Sequence, residues 1–151
     1  MVVLNSNCRP AGGCAAGSPQ EQWLRADLAA SGAPCTVAYW HHARYSSGLH
    51  GPDETMAPLW RALADARADL VLAGHDHHYE RFRPILGIRS FVVGTGGASH
   101  RPVLRRLPAS EVLNWRTYGV LRLTLRADGY DWRFVPVAGA SFTDAGTATC
   151  R

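Results

Sequence analysis

The chain has 151 residues, the size of one ordinary domain, and is long enough to bury a core. Apolar residues make up 46% and charged residues 19%, a composition that excludes a disordered chain. All 16 basic side chains are arginines and the net charge is +4. This charge would suit phosphate or nucleic acid, but the arginines are scattered rather than gathered in a stripe. No run of about 18 apolar residues occurs, so the sequence predicts no membrane span.

The first predicted helix runs from about Pro19 to Ala30. Ser18 stands at the N-cap, a proline occupies the first helical position, and Glu21 follows three residues after the cap. This arrangement is a capping box, which marks the start of a helix. Helical spacing predicts a buried stripe formed by Trp23, Leu24 and Leu28.

A strand–helix–strand unit follows this helix. Composition predicts strands over 34–40 and 69–74, with a helix over 57–66 between them. A crossover of this length makes the two strands parallel neighbours, so their carboxyl ends lie at the same edge of the sheet. Ligand sites in open α/β sheets form at that edge. His41 directly follows the first strand, and His75 directly follows the second.

The last third of the chain has a different pattern. Residues 89–97 predict a strand that enters a glycine-rich turn, and residues 118–137 alternate apolar and polar on both sides of Asp128-Gly129. Such alternation around an Asp-Gly pair predicts a β-hairpin. We therefore expect a mixed sheet within an α/β fold, and residues 1–151 as one unit without an internal domain boundary.

The cysteines and the first residues bear on the compartment. Four cysteines without a CxxC pair allow a disulfide such as Cys8 with Cys14 and favour an oxidising compartment. Free buried thiols are the alternative. The opening MVVLNSNC has neither the basic region nor the apolar core of a signal peptide. It resembles a strand entered in its middle, so we expect that the start of a longer protein is absent.

Histidines cluster where the second strand ends. In GHDHH, His75 and His77 are separated by one residue, and together with His41 they predict a convergence of three imidazoles, the commonest metal ligands. The alternative is a polar turn with surface histidines. We favour that alternative for His42 and His78, because neighbours in an extended segment point in opposite directions.

His100 lies in a loop rich in Gly and Ser. We expect it to be solvent-exposed or part of a distant pocket wall, and we assign it no role.

Three segments together resemble a known family. YWHHARYSSGLHGP, LVLAGHDHHYERF and FVVGTGGAS look like the C-terminal half of calcineurin-like metallophosphoesterases, in particular the purple acid phosphatase-like branch. GHDHxYER is specific for that branch, whereas GHxH alone marks only the superfamily. The resemblance implies half of a four-layer α/β/β/α sandwich, with a mixed sheet and a C-terminal β-hairpin.

The resemblance also implies a site with two metal ions, of Zn, Mn or Fe. His41 and His75 would bind the second metal, and His77 the first. His50 would contact the phosphate of a small phosphate-ester substrate and assist the leaving group. The family's usual proline in this loop is Ala43 here, which leaves the position of His50 less fixed.

Several ligand motifs of the family do not occur in these residues. There is no GDxx[DY], whose Asp bridges the metals, and no GNH[DE]; the only DxH lies inside the GHDHH turn and the only DxG spans residues 144–146. Two close dications repel each other unless a carboxylate neutralises them, and imidazoles carry no such charge. We therefore expect this chain alone to hold at most one ion, through His41 and His75, and to be inactive. Without the other half of the sandwich it would expose an apolar face and an unpaired sheet edge, so we also expect instability or aggregation when it is expressed alone.

Three functional hypotheses follow. The first is part of a secreted metal-dependent phosphate-ester hydrolase that needs an N-terminal half to complete its site. The second is a non-catalytic module that binds a single metal or phosphate. The third is a nucleic-acid-binding domain, which the lack of a basic stripe disfavours. No membrane partner is expected.

Overall fold

The computed structural model describes residues 1–103 and 105–151, and it arranges the strands in two sheets. The elements are β1 (Val2–Val3), α1 (Pro19–Ala30), β2 (Val37–His42), α2 (Ala57–Asp65), β3 (Leu70–Gly74), β4 (Tyr79–Ile85), β5 (Ile88–Val93), β6 (Ser110–Asn114), β7 (Gly119–Leu125), β8 (Gly129–Pro136) and β9 (Ala145–Thr149). The first sheet has the order β1-β2-β3-β5-β4-β6, and the second has the order β7-β8-β9.

The first sheet is mixed, as predicted. Strands β1, β2, β3 and β5 are parallel neighbours, whereas β4 pairs antiparallel with β5 and β6. The predicted hairpin of β7 and β8 is confirmed, but it belongs to the separate antiparallel sheet. The expected α/β fold class is therefore confirmed.

Strands β2 and β3 are adjacent and parallel, as the crossover rule predicted. Their register contains a bulge: Tyr39 pairs with Leu72, and the next pair is His42 with Gly74. Three residues on β2 thus advance against two on β3, which is the definition of a bulge. The strand also continues to His42, two residues beyond the predicted end.

Helix α1 has the predicted boundaries and cap. The Glu21 backbone N–H donates to Ser18 Oγ (3.4 Å), and Glu21 Oε2 accepts from the Gly17 N–H (3.1 Å). The buried positions are Glu21 and Leu24, with Leu28 partly buried, but Trp23 is 49% exposed. The prediction for Trp23 is wrong because each residue turns the helix by about 100°, which moves Trp23 off the line of the buried side chains.

The core of the described residues has two large parts, one on each face of the first sheet, and a smaller group of Ala43, Phe82 and Val92. On one face, helices α1 and α2 pack on the sheet; on the other face, the second sheet packs through aromatic side chains. The helix side is formed by residues that include Leu24, Trp40, Leu59, Leu63 and Val71. The side between the sheets includes Val37, Leu70, Tyr79, Phe91, Tyr130, Trp132 and Phe134. The described layers are therefore helices, mixed sheet and antiparallel sheet.

All four cysteines form disulfides, which join Cys8 to Cys14 and Cys35 to Cys150. The predicted Cys8–Cys14 pair is confirmed, and the free-thiol alternative is wrong. No helix in the described part of the chain is both long and apolar enough to cross a membrane.

Candidate metal centre

The candidate site lies where three parallel strands end. Strands β2, β3 and β5 run in the same direction, so the segments that follow them meet at one edge of the sheet. These segments are the loop over 43–53, the turn over 75–78 and the loop over 94–101. They carry all the histidines of the chain except His41 and His42, which end β2 itself.

The imidazoles of His41 and His75 touch. His41 Nε2 and His75 Nδ1 are 3.1 Å apart, and the ring centroids are 4.9 Å apart. The backbone of His75 has a φ of 66°, in the left-handed region that residues other than Gly rarely adopt. Such strain concentrates at functional sites, where the surrounding structure holds it in place.

His42 also belongs to this group. Its ring centroid lies 4.8 Å from that of His41 and 4.4 Å from that of His75. Ligand atoms of the three histidines all lie within 4.8 Å of one another. The expectation that His42 points away from the site is wrong, because the bulge in β2 interrupts the strict alternation of side chains.

Burial lowers the pKa of both His41 and His75. For His41, the neighbours His42 and His77 lower the pKa further, because a second positive charge close by would be unfavourable. For His75, the additional causes are His42, His50 and His41, and Asp76 opposes them. Both shifts favour the neutral imidazole, which is the form that binds a metal.

His77 stands apart from that group. Its Nδ1 lies 2.8 Å from the Ser99 carbonyl oxygen. A carbonyl oxygen only accepts, so Nδ1 carries the proton and Nε2 offers a lone pair. Metal-binding histidines commonly have this arrangement, in which a backbone carbonyl orients the ring.

Of the two placements expected for His100, solvent exposure is wrong, because the residue lies next to His77 and is partly buried; a place in a pocket wall stays a prediction. The His100 ring stacks on Tyr118 with 3.9 Å between the ring centroids. Burial and then the proximity of His77 lower its pKa. Among the described residues, no hydrogen-bond partner contacts its buried Nε2.

His50 lies on the open side of the cluster. Its side chain is exposed, and its ring centroid is 4.2 Å from that of His75. The His50 backbone N–H donates to Asp76 Oδ1 (3.0 Å), which fixes the loop beside the histidine turn. Although Ala43 stands where the family has a proline, a hydrogen bond still joins the two ends of this loop. The Asp53 N–H donates to the Ala43 carbonyl (2.9 Å).

Two neighbouring serines attach this loop to the turn. Ser46 Oγ donates to Asp76 Oδ2, and Ser47 donates through its N–H and its hydroxyl to Glu80 (2.8 and 2.5 Å). Asp76 is 3% exposed and Glu80 is fully buried. Gly48 is required at the contact, since a Cβ there would lie 2.3 Å from Asp76 Cγ.

His78 is buried rather than on the surface, so its predicted exposure is wrong. Strand β4 begins at the next residue and carries Glu80 into the interior, where His78 Nε2 lies 3.0 Å from Glu80 Oε2. Burial alone would raise the pKa of Glu80. Hydrogen bonds from His78, Ser110 and Ser47 outweigh burial and lower the pKa.

The residues at this edge fit a transition-metal ion. Imidazole nitrogen is a ligand of Zn, Cu, Fe and Ni, whereas Mg and Ca prefer oxygen. His41, His42 and His75 offer only nitrogen, and the Nδ1 atoms of His42 and His77 already contact Ser6 and Ser99. We find no carboxylate in the three-histidine group, within the ranges 1–103 and 105–151.

Comparisons with known proteins show which family the sequence resembles. The family model "Calcineurin-like phosphoesterase" matches residues 6–79, a range that contains His41, His50, His75 and His77. Purple acid phosphatase 21 of Arabidopsis thaliana is 34% identical over 113 residues, which are 66% of this chain and 26% of that protein. An uncharacterized protein of Mycobacterium tuberculosis, Rv2577, is 32% identical over 120 residues, which are 75% of this chain and 21% of that protein.

A solved structure shows the same fold. Purple acid phosphatase PPD1 from yellow lupin (Lupinus luteus) seeds matches 97% of this chain with a TM-score of 0.81 and 20% sequence identity. The chain resembles the calcineurin-like metallophosphoesterases in sequence over residues 6–79 and in fold. The resemblance to their purple acid phosphatase-like branch is confirmed, but over part of the length only. The chain spans 26% of the Arabidopsis protein, 21% of the Mycobacterium protein and 30% of the lupin structure.

Proposed function

We propose that the site serves metal-dependent hydrolysis of small phosphate esters. The observation that carries the proposal is the contact between His41 and His75, with the ring of His50 beside them, at the edge where three parallel strands end. The match of residues 6–79 to the calcineurin-like phosphoesterase model supports the reaction class.

Each predicted residue receives one role. His41 and His75 hold one ion, and His77 binds a second through Nε2 while its Nδ1–H contacts Ser99. Zn, Mn and Fe are the candidate ions. Bound ions of this kind polarise phosphoryl oxygens and activate water for attack at phosphorus.

His50 acts on the leaving group. Its exposed ring can reach a bound ester, and a protonated imidazole can donate its proton to the leaving oxygen. The hydrogen bond from the His50 N–H to Asp76 limits the movement of the loop that carries it.

Catalysis requires further ligands beyond those of this chain. Two neighbouring dications need a bridging carboxylate, and the three-histidine group contains none in the described residues. An open groove of about 340 Å³ begins at Gly74, next to His75, and its walls include Tyr39, Leu72 and Val120. We propose that an N-terminal half of the domain, which carries the remaining ligands, packs against this apolar surface.

A non-catalytic module that binds one metal ion is the second candidate. The all-nitrogen ligand group favours it, because such a group can hold a single ion without a bridging carboxylate.

The two disulfides support secretion of the parent protein into an oxidising compartment.

Hydrolysis of p-nitrophenyl phosphate tests the proposal. The chain is assayed with Zn, Mn or Fe, alone and mixed with a polypeptide that carries the DxH, GDxx[DY] and GNH[DE] motifs. We expect turnover only in the mixture, and we expect His75→Ala or His77→Ala to abolish it. Turnover by the chain alone would contradict the need for further ligands, and turnover that survives both substitutions would refute the ligand assignment.

A further inference from the structure

We infer that His42 is a third metal ligand, and that His41, His42 and His75 form a three-histidine site for one divalent transition-metal ion within this chain. The inference rests on the proposed function in one respect, namely that His41 and His75 bind metal. It goes further because it gives this chain a complete site for a single ion.

The backbone makes the site possible. The bulge between Tyr39 and His42 adds a residue to β2, so that the consecutive residues His41 and His42 both reach the ring of His75. In a regular strand their side chains would lie on opposite faces. The left-handed backbone of His75 turns its ring toward both of them.

Ser6 orients the third ligand. Ser6 Oγ accepts from the His42 backbone N–H (3.0 Å) and lies 2.8 Å from His42 Nδ1. Ser6 is 7% exposed, so water competes little for these contacts. With Nδ1 engaged, Nε2 is the nitrogen that remains for a metal, as in other sites where an outer group fixes a histidine ligand.

The ligand type selects the ion. Three neutral imidazoles suit Zn²⁺, Co²⁺, Ni²⁺ or Cu²⁺, and they bind Mg²⁺ and Ca²⁺ poorly because those ions prefer oxygen. Three protein ligands also leave a fourth tetrahedral position for water or an anion. His50 lies next to His75 on the exposed side, where such an anion would enter.

Metal titration of the 151-residue chain tests the inference. Zn²⁺ affinity is measured by calorimetry, and the coordination of Co²⁺ by its visible absorption, which is intense in a tetrahedral site. The key variant is His42→Asn, because the Asn amide can keep the contact with Ser6 while the distal nitrogen is removed. We expect one ion per chain, at least tenfold weaker binding in His42→Asn, and weaker Co²⁺ absorption. His41→Ala and His75→Ala should also weaken binding, and Ser6→Ala should weaken it about 10- to 100-fold.

His100→Asn is the matched control, since this histidine lies outside the three-residue group and should leave affinity unchanged. Circular dichroism identifies variants that fail to fold, and His42→Asn is then compared with wild type by Co²⁺ absorption in the folded fraction. Wild-type affinity in His42→Asn, with loss in His41→Ala and His75→Ala, would overturn the role of His42 and leave the proposed function standing. Unchanged affinity in all three would overturn both, and Mg²⁺ binding as tight as that of Zn²⁺ would overturn the ion class.

Discussion

Single side chains of the segment 74–81, GHDHHYER, have three distinct roles. Its histidines at 75 and 77 face the loops at the sheet edge, whereas Asp76 and Glu80 bind the loop that carries His50. Tyr79 and Arg81 reach the segment just before β9: Tyr79 Oη and Arg81 Nε both donate to Asp144 (2.7 Å each). The motif therefore joins the candidate site to the core on both sides.

Glu80 should make the stability of the chain depend on pH. Hydrogen bonds hold its pKa below the ordinary value of 4.5, so its charged form is favoured in the folded state. The stabilisation is complete above about pH 4.5 and is lost as the pH falls through the lower folded pKa. Glu80→Gln should lower the free energy of unfolding by about 3 kcal/mol near pH 7, because it leaves a buried network incomplete. The difference from wild type should shrink as the pH falls, which urea unfolding between pH 7 and 3 would measure.

Glu54→Gln is the control for this prediction. Its side chain is 76% exposed and pairs with Arg44 at the surface. Exposed ion pairs contribute about 0–1 kcal/mol, so this variant should unfold with nearly the wild-type free energy at every pH. A gap between Glu80→Gln and wild type that stays constant with pH would show that the charge of Glu80 does not carry the effect.

Residue roles could be predicted from the sequence only where local pattern determines position. The strand ends predicted that His41 and His75 meet, and they do. The HxH spacing added His77 to this convergence, but the group of ligand atoms in the structure contains His42 instead. His42 could not be found in this way, because a bulge depends on the pairing of two strands and leaves no clear mark in one of them. His78 was misjudged because its partner Glu80 becomes visible only once β4 is known to enter the core.

At the scale of elements, the ends of the first helix follow from local sequence, whereas its buried face follows from tertiary contacts. Its capping box and proline are local, and they predicted both of its ends. Which face of the helix is buried depends on its contacts with the sheet and with α2. Trp23 and Leu24 are both apolar, so the sequence did not show which of these two side chains faces the core. The structure buries Leu24 completely and leaves Trp23 half exposed.

Substitution of these two neighbours tests the assignment of the buried face. Leu24→Ala should lower the free energy of unfolding by about 2–5 kcal/mol, because it removes core contacts and leaves a cavity. Trp23→Ala should cost much less, although Trp is the larger side chain, since half of its surface is already in water. Urea unfolding of both variants gives the comparison. A larger loss of unfolding free energy in Trp23→Ala than in Leu24→Ala would mean that Trp23 is buried, as the sequence predicted.

At the scale of the whole molecule, the two disulfides differ in what they join. Cys8 and Cys14 are six residues apart and close a local loop. Cys35 and Cys150 are 115 residues apart and connect the chain before β2 to the chain after β9. The second bond thereby ties one sheet to the other, and Cys150 packs against the aromatic core between them. The sequence favoured Cys8–Cys14 among three possible connectivities, which leaves Cys35 and Cys150 as the other pair, but it could not show that this second bond joins the two sheets.

Removal of each disulfide should therefore have a different cost. Loop-closure entropy predicts a loss of about 5 kcal/mol for Cys35→Ser/Cys150→Ser and about 2 kcal/mol for Cys8→Ser/Cys14→Ser, since the longer loop restricts the unfolded chain more. Urea unfolding under oxidising conditions measures both losses, and the reduced wild type should be less stable than either variant. Equal losses in the two variants would mean that the long-range bond does not hold the sheets together, and that packing of the aromatic core alone does so.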